Sequence, residues 1–274
     1  MDQLAKVVVV APTFKSAFSI AFYDSLKKWL KPEAMAMRSM TDDPAIQKER
    51  LKQALIQANH TALIALDIRP DADIVFSYFK ERVPIILIDE ETQGASSIST
   101  DNITGGRLAG EYLAKKGRKK IAIVSGRTQV KGGYNAEQRL KGFRQALSVA
   151  GLTIPQGCLI EVPDYSREDG LSVMPELLKM NVDAVFCAAG DNCAMGLLTV
   201  AKERGIRVPD DVAIVGFDDL LIAQLSTPAL TTIRQPFDKM AEAAYKMAVV
   251  NKEEILAKPQ KAMFNPELVI RKSA

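Results

Sequence analysis

Short runs of consecutive apolar residues alternate along this chain with longer stretches in which apolar side chains recur every three or four positions. Residues 6–10 are a valine run closed by Ala11 and Pro12, and residues 18–30 have helical spacing, so the chain opens with a strand and a helix. Strands are then expected at 35–40, 62–66 and 84–88, and helices at 46–58 and 74–79. Residues 98–100 are short and extended, and Asp101 and Asn102 cap a helix over 104–116. From residue 121 the design repeats, with strands at 121–124, 158–162, 184–187 and 212–215 and helices at 134–150, 170–180 and 192–204. An extended segment at 231–233, an amphipathic helix over 237–250 and short strands at 262–264 and 268–270 complete the chain. Strands that are apolar throughout, separated by amphipathic helices, predict α/β lobes with parallel sheets covered on both faces. A helix and strands left over after the second lobe imply that the chain returns to the first. The expected organisation is two doubly wound lobes joined by several hinge crossings, 1–116 with 234–263 and 117–233 with 264–274, the crossings lying near Lys116, Ile233 and Phe264.

Length agrees with two lobes: 274 residues exceed one ordinary core and suit two domains of about 100–150 residues. Hydrophobic content of 47% and charged content of 25% are those of an ordinary globular chain, which argues against disorder and against a membrane class. No apolar run approaches the ~18 residues of a membrane span, and the first residues lack the basic flank and apolar core of an export signal. Cys158, Cys187 and Cys193 show no CxxC spacing, so neither a disulfide framework nor a metal site is expected, no cofactor is implied, and a reducing cytoplasm fits best. A formal net charge of +3 is too small to make the chain by itself a nucleic-acid binder. The basic cluster at 115–120, KKGRKK, reads as charge complementing a helix C-terminus followed by a glycine cap.

Parallel sheets bind ligands at the carboxyl ends of their strands, and the candidate residues are those that fall there. Asp218 follows the strand at 212–215; it reads either as a ligand group or, with Asp219, as a turn or cap. Phe14, Phe18 and Ser19 follow the first strand, Asp89 the strand at 84–88, and Asn135 to Arg139 the strand at 121–124. Asp101 and Asn102 begin the crossover helix, and Asp164, Tyr165, Gly190, Asp191 and Asn192 follow further strands. Carboxylates, amides, a guanidinium and aromatic faces together suit a polyhydroxylated ligand. Taken singly, Phe18 also reads as core and Arg139 as a helix ion-pair residue. Enzyme chemistry has little support: no GxGxxG, GxxxxGKS/T or GxSxG occurs, and the only histidine, His60, precedes a strand with no nucleophile near it. Asp218 and Asp219 could imitate an acid/base pair, but adjacent residues at a strand end point apart.

Asp101-Asn102 with Gly105-Gly106, LAGEYLAKKGRKKIAIVSG, NAEQRLKGF at 135–143, GDNCAMG at 190–196, VPDDVAIVGFDD at 208–219, TPALTTIRQP at 227–236 and the terminal PELVIRKSA together resemble the effector-binding core of the lac and gal repressor family. The resemblance runs from about residue 84 to the end. It implies a cytoplasmic, two-lobed domain of periplasmic-binding-protein type I fold that binds a small sugar or nucleobase, forms a homodimer and controls an attached DNA-binding head. Carried over by residue, Arg139 and Asp218 match the effector-binding arginine and aspartate and Tyr165 the stacking aromatic, Asn135 and Asp101 fall at polar contact positions, and Phe18 and Ser19 stand roughly where first-lobe contacts lie. Two departures stand out: TFKSAFS replaces the usual sequence after the first strand, and Gly190 stands where sugar-binding members often have asparagine, losing an amide and gaining room. No helix-turn-helix precedes Lys6, so the expectation is an effector domain cut from a longer regulator. The mixture of Asp, Asn and Arg favours a sugar over a nucleobase. A transport-linked sugar-binding protein of the same fold is the alternative; the TTIRQP crossing, the VGFDD strand and the thiols favour the regulator.

Overall fold

The computed structural model describes residues 7–12, 16–40, 43–57, 61–126 and 134–274. The chain divides into two compact units, Met1–Thr100 with Pro236–Phe264 and Asp101–Gln235 with Asn265–Ala274. It passes between them three times, as a returning chain must.

In the first unit the element order is β1 (Val7–Ala11), α1 (Ala17–Leu26), β2 (Met35–Ser39), α2 (Pro44–Gln57), β3 (Ala62–Leu66), α3 (Ala72–Lys80), β4 (Ile85–Ile88) and β5 (Ser96–Thr100), completed by α9 (Phe237–Tyr245), α10 (Lys252–Ala257) and β11 (Lys261–Phe264). The sheet order is β11-β5-β4-β3-β1-β2, parallel throughout. The valine run shows why such a strand carries no polar alternation. Val7 and Val9 pack with Phe22 and Leu26 of α1 and Met240 and Ala244 of α9, while Val8 and Val10 pack with Leu51 of α2 and Ile74 and Tyr78 of α3. Both faces are core, so both parities of the strand are apolar.

The second unit contains α4 (Asn102–Lys115), β6 (Ile121–Gly126), α5 (Tyr134–Val149), β7 (Leu159–Val162), α6 (Arg167–Lys179), β8 (Ala184–Cys187), α7 (Asp191–Glu203), β9 (Ala213–Asp218), α8 (Leu221–Leu225), β10 (Thr231–Arg234) and β12 (Glu267–Val269). Its sheet order is β12-β10-β9-β8-β6-β7, with β12 antiparallel to β10 and the other pairs parallel. Ile121 and Ile123 of β6 face Leu113 of α4 and Leu140 and Phe143 of α5; Ala122 and Val124 face Met174 of α6 and Leu197 of α7. The strand at 212–215 is the inner strand β9, as expected, and its carboxyl end reaches Asp218.

The structure departs from the sequence reading in its boundaries. The first crossing is at Thr100–Asp101, not near Lys116, because α4 packs along α5 and belongs to the second unit. The two helices approach closely: a Cβ on Gly106 would stand 1.9 Å from the Arg139 carbonyl oxygen, and one on Gly142 1.9 Å from the Ile103 carbonyl oxygen. The later crossings, at Gln235–Pro236 and Phe264–Asn265, lie within a few residues of expectation. A five-residue helix, α8, lies between the strand at 212–215 and the extended segment at 231–233, where the sequence reading placed no helix, and the helix expected over 237–250 ends at Tyr245 and continues as a π turn, Lys246–Val250. Phe14 and His60 lie outside the described residues.

The basic cluster has the structural role that its spacing implied. Gly117 N–H donates to the Ala114 carbonyl and Arg118 N–H to that of Leu113, closing α4. The Arg118 guanidinium then donates to the Pro209 carbonyl at 2.6 Å, and the Asp183 carboxylate accepts from the Lys119 and Lys120 N–H groups at 2.7 and 3.0 Å. These bonds tie the end of α4 to the loops before β8 and β9.

The α4–α5 contact can be tested by Gly142→Ala. A methyl there collides with backbone, which moves only with its whole helix, so a stability loss of roughly 1–3 kcal/mol is expected in urea titration. An unchanged midpoint and slope would show that the helices are not held this close.

Candidate functional site

The groups that converge at the carboxyl end of the second sheet's strands begin with Arg139, in the second turn of α5 and 9% exposed. Its Nε donates to Asn102 Oδ1 at 2.7 Å and its Nη1 to the Ala188 carbonyl at 2.8 Å, and the guanidinium carbon lies 3.6 Å from the centroid of the Phe217 ring. A planar cation over an aromatic face is held by the ring quadrupole as well as by its hydrogen bonds. Asn102 donates in turn from Nδ2 to Asn135 Oδ1 at 3.1 Å. Those bonds fix the plane of the guanidinium and leave Nη2 with donors uncommitted among the described residues.

Three carboxylates gather around the end of β9, each in a different environment. Asp219 has a side chain only 3% exposed and ion-pairs with Arg234 Nε at 2.7 Å and Arg271 Nη2 at 2.5 Å, so it locks β9 to β10 and the C-terminal segment. Asp191 is fully buried at the first position of α7; it accepts from Leu220 N–H at 2.8 Å and from Thr232 Oγ1 at 2.6 Å and thereby pins the turn after β9. Burial pushes its acid well above the ordinary carboxylate range, and the neighbouring Asp218 charge adds to this, against the hydrogen bonds from Thr232 and Leu220. Asp218 is buried too and accepts from Gln235 Nε2 at 2.7 Å. Its acid is raised by burial, while the Arg139 charge and the Gln235 bond hold the shift down. Asp218 and Asp219 have different partners, Gln235 for the first and Arg234 and Arg271 for the second.

Asp218 takes φ of +109°, a conformation an L-residue rarely adopts, which turns its carboxylate toward α7. Gly190, with φ of +105°, caps that helix, and a Cβ there would stand 2.9 Å from Asp218 Oδ2. The expected gain of room at Gly190 is therefore corrected: the space that a side chain would need is filled by the Asp218 carboxylate. Tyr165 also has positive φ, +58°, and its ring and hydroxyl lie over Gly126 at the end of β6, where any Cβ would collide with them. The residue as a whole is 40% exposed.

Arg139, Asn135 and Asn102 form one hydrogen-bonded chain, and the charge of Arg139 acts on Asp218. Asp101 is engaged differently: its carboxylate caps α4, accepting from Thr104 N–H at 2.9 Å and Thr104 Oγ1 at 2.7 Å, and the residue that reaches Arg139 is Asn102. Gln235, which donates to Asp218, is a residue that the strand-end rule did not single out, whereas Asp191 fell among its candidates. In the first unit, Phe18 packs edge-on against Phe237 with ring centroids 5.6 Å apart, and Ser19 is fully buried, its hydroxyl accepting from Ser16 Oγ at 2.7 Å. Asp89 is buried with φ of +60°, and its Oδ1 accepts from Thr100 N–H at 3.2 Å, which ties the end of β4 to β5. Among the described residues no cluster of His, Cys, Asp and Glu could hold a metal.

The raised acid of Asp191 makes a signed prediction. Above the ordinary carboxylate range the unfolded chain has released this proton while the native chain keeps it, so this group's contribution to stability falls as pH rises toward the folded value. Asp191→Asn is similar in size and does not titrate. The variant should be less stable, because its single carbonyl oxygen can serve only one of Leu220 N–H and Thr232 Oγ1, and the gap from wild type should be widest at acid pH and narrow as pH rises; denaturant titrations across a pH series measure it. A gap that widened with pH would mean that Asp191 is stabilised as the anion.

The family whose description is "Periplasmic binding protein-like domain" matches residues 111–274. A repressor, "HTH-type transcriptional repressor PurR" of Klebsiella pneumoniae (strain 342), is 30% identical over 283 residues, covering 100% of this chain and 81% of that protein. The protein of the same name from Escherichia coli O1:K1 / APEC is 36% identical over 199 residues, taking in 70% of this chain and 56% of that protein. Among solved structures, a LacI family transcriptional regulator from Enterococcus faecium with bound ribose is similar over 98% of both chains, with a TM-score of 0.85 at 24% identity. The regulator CelR in complex with cellobiose is similar over 99% of this chain and 86% of its own, with a TM-score of 0.81 at 25% identity. With the fold, the family match and a repressor that aligns with the whole of this chain, the chain belongs to the LacI family of transcriptional regulators, as a periplasmic-binding-protein-like effector-binding domain.

Proposed function

We propose that this domain has no enzymatic activity, binds a small sugar or sugar derivative at the carboxyl ends of the second unit's strands, and works in the cytoplasm as a homodimer controlling the DNA binding of a regulator. The observation that carries the site is Arg139, a buried guanidinium oriented by Asn102, Ala188 and Phe217 with donors uncommitted and the buried Asp218 carboxylate within reach of its charge. A fixed donor and a fixed acceptor on one wall suit neighbouring hydroxyls, which both give and take hydrogen bonds. Tyr165 supplies the face on which a sugar's C–H surface stacks, and Asn135 and Asp101 complete the proposed contacts. The solved relatives described with ribose, D-xylulofuranose and cellobiose support a sugar over a nucleobase. The matched relatives are transcriptional repressors, which supports the regulator over a transport-linked binding protein.

A thermal-shift panel of D-ribose, D-xylulose, cellobiose, their phosphates and hypoxanthine tests the ligand class, since a ligand at ~100 times its dissociation constant adds ~2.7 kcal/mol. For a compound that binds, Arg139→Ala and Asp218→Ala should each weaken calorimetric affinity by about 2 kcal/mol or more, the scale of a lost charged hydrogen bond. Affinity unchanged in both variants would remove the site assignment, and a response to hypoxanthine alone would reverse the preference for sugars.

The dimer rests on exposed apolar side chains that each unit's own core does not use. Ile56 of α2 and Phe76 and Phe79 of α3 are exposed in the first unit, and Leu221 and Leu225 of α8 in the second. Such clustered exposure is characteristic of surfaces that pair. Sedimentation should give a dimer at micromolar concentration, and Phe76→Asp with Leu225→Asp should give a monomer; a wild-type monomer at high micromolar concentration would end this reading.

A further inference from the structure

Ser125 is fully buried in β6, and among the described residues its hydroxyl is the buried side-chain oxygen or nitrogen without a hydrogen-bond partner. A hydroxyl taken out of water and left unpaired opposes folding, and alanine in the same place would not. Its position points to a use. Along β6, Ile121 and Ile123 face the α4–α5 side of the sheet and Ala122 and Val124 the other, so alternation puts Ser125 on the α4–α5 side. That is the face on which the Arg139 guanidinium lies over Phe217. The β6–β8 ladder runs from Ile121↔Ala184 to Val124↔Cys187, and Ala189 N–H donates to the Val124 carbonyl at 3.0 Å. One step further along the ladder, Ser125 comes beside Ala188, whose carbonyl accepts from Arg139 Nη1. The unpaired hydroxyl thus stands at the ligand-side end of its strand, next to the backbone group that anchors the effector arginine.

We infer that Ser125 is an effector contact: its hydroxyl hydrogen bond is completed by a polar group of the bound ligand, or by one water that the ligand traps against it. Since no group among the described residues bonds this oxygen, a ligand atom or water reaching it displaces none of their hydrogen bonds. The inference rests on the effector site proposed above and adds a contact that selects for a ligand polar at that point.

The test uses the whole 274-residue chain and the panel compound that binds it, with Ser125→Ala and Arg139→Ala measured side by side by calorimetry and thermal denaturation. Ser125→Ala should unfold no earlier than wild type without ligand, because it removes an unpaired buried hydroxyl, yet bind the compound about tenfold more weakly, the loss of one neutral hydrogen bond. A general packing defect would lower stability and affinity together, so stability lost along with affinity overturns the inference. Affinity kept by Ser125→Ala but lost by Arg139→Ala also overturns it and leaves the effector site standing. Affinity kept by both variants, or a wild-type chain that binds nothing in the panel, removes the site and this contact with it.

Discussion

A guanidinium leaves water only where its donors and its charge are met, and the second unit is built around meeting those of Arg139. Desolvating such an ion costs several kcal/mol even after the protein relaxes around it. The compensation comes from three elements: Asn102 at the start of α4, the Ala188 carbonyl at the end of β8 and the Phe217 ring on β9. Asn102 reaches Arg139 only because α4 and α5 lie nearly backbone to backbone, which Gly106 and Gly142 permit. Gly105 serves the same end, since a Cβ there would stand 2.8 Å from the Phe217 ring. Small residues in the middle of two helices, costly for helix stability, are explained by the polar group that they allow to be buried.

Much of the fold was legible because the strands are buried on both faces and the helices on one, and that difference in period survives in the sequence. Both parities of Val7–Val10 are apolar for this reason. Which sheet a helix covers is another matter. The helix over 104–116 is amphipathic whichever lobe it joins, so chain order put it with the first; its contact with α5, mediated by glycines on facing helices, decides otherwise. The short helix α8 and the π turn at Lys246–Val250 hold only five residues each, too few for a periodic signal.

At the site, Arg139, Asp218 and the amide Asn135 were readable from strand ends and resemblance, whereas Asn102 was read without a contact role and Gln235 was missed. Arg139 and Asp218 stand out as ionic groups beside apolar runs, whereas Asn102 was read with Asp101 as beginning the crossover helix, and the contact role went to Asp101. Helical period would have found the amide: Asn102, Gly106, Ala109 and Leu113 lie on one face, the face buried against α5 and the sheet. Gln235 is hidden just past the end of β10, yet the parallel register of β9 and β10 sets Arg234 opposite Asp218 and brings the next residue to the carboxylate.

The three aspartates at the end of β9 show why one residue type can do different work within a few ångströms. Asp219 meets two arginines, so its charge is neutralised inside the protein and its geometry is spent on joining β9, β10 and the C-terminal segment. Asp191 meets hydrogen-bond donors but no cation, and burial drives it toward the protonated form, which suits a structural pin that adds little charge to the site. Asp218 alone is both buried and near a cation that it does not consume: its Oδ1 takes the Gln235 amide, and the Arg139 charge keeps its acid from rising as far as burial would take it. What is left between Arg139 and Asp218 is a guanidinium and a carboxyl group, each with hydrogen-bonding capacity to spare. An anionic ligand would have to oppose Asp218 with a single guanidinium in its favour, whereas a neutral hydroxylated one can satisfy both groups without adding charge to a buried site.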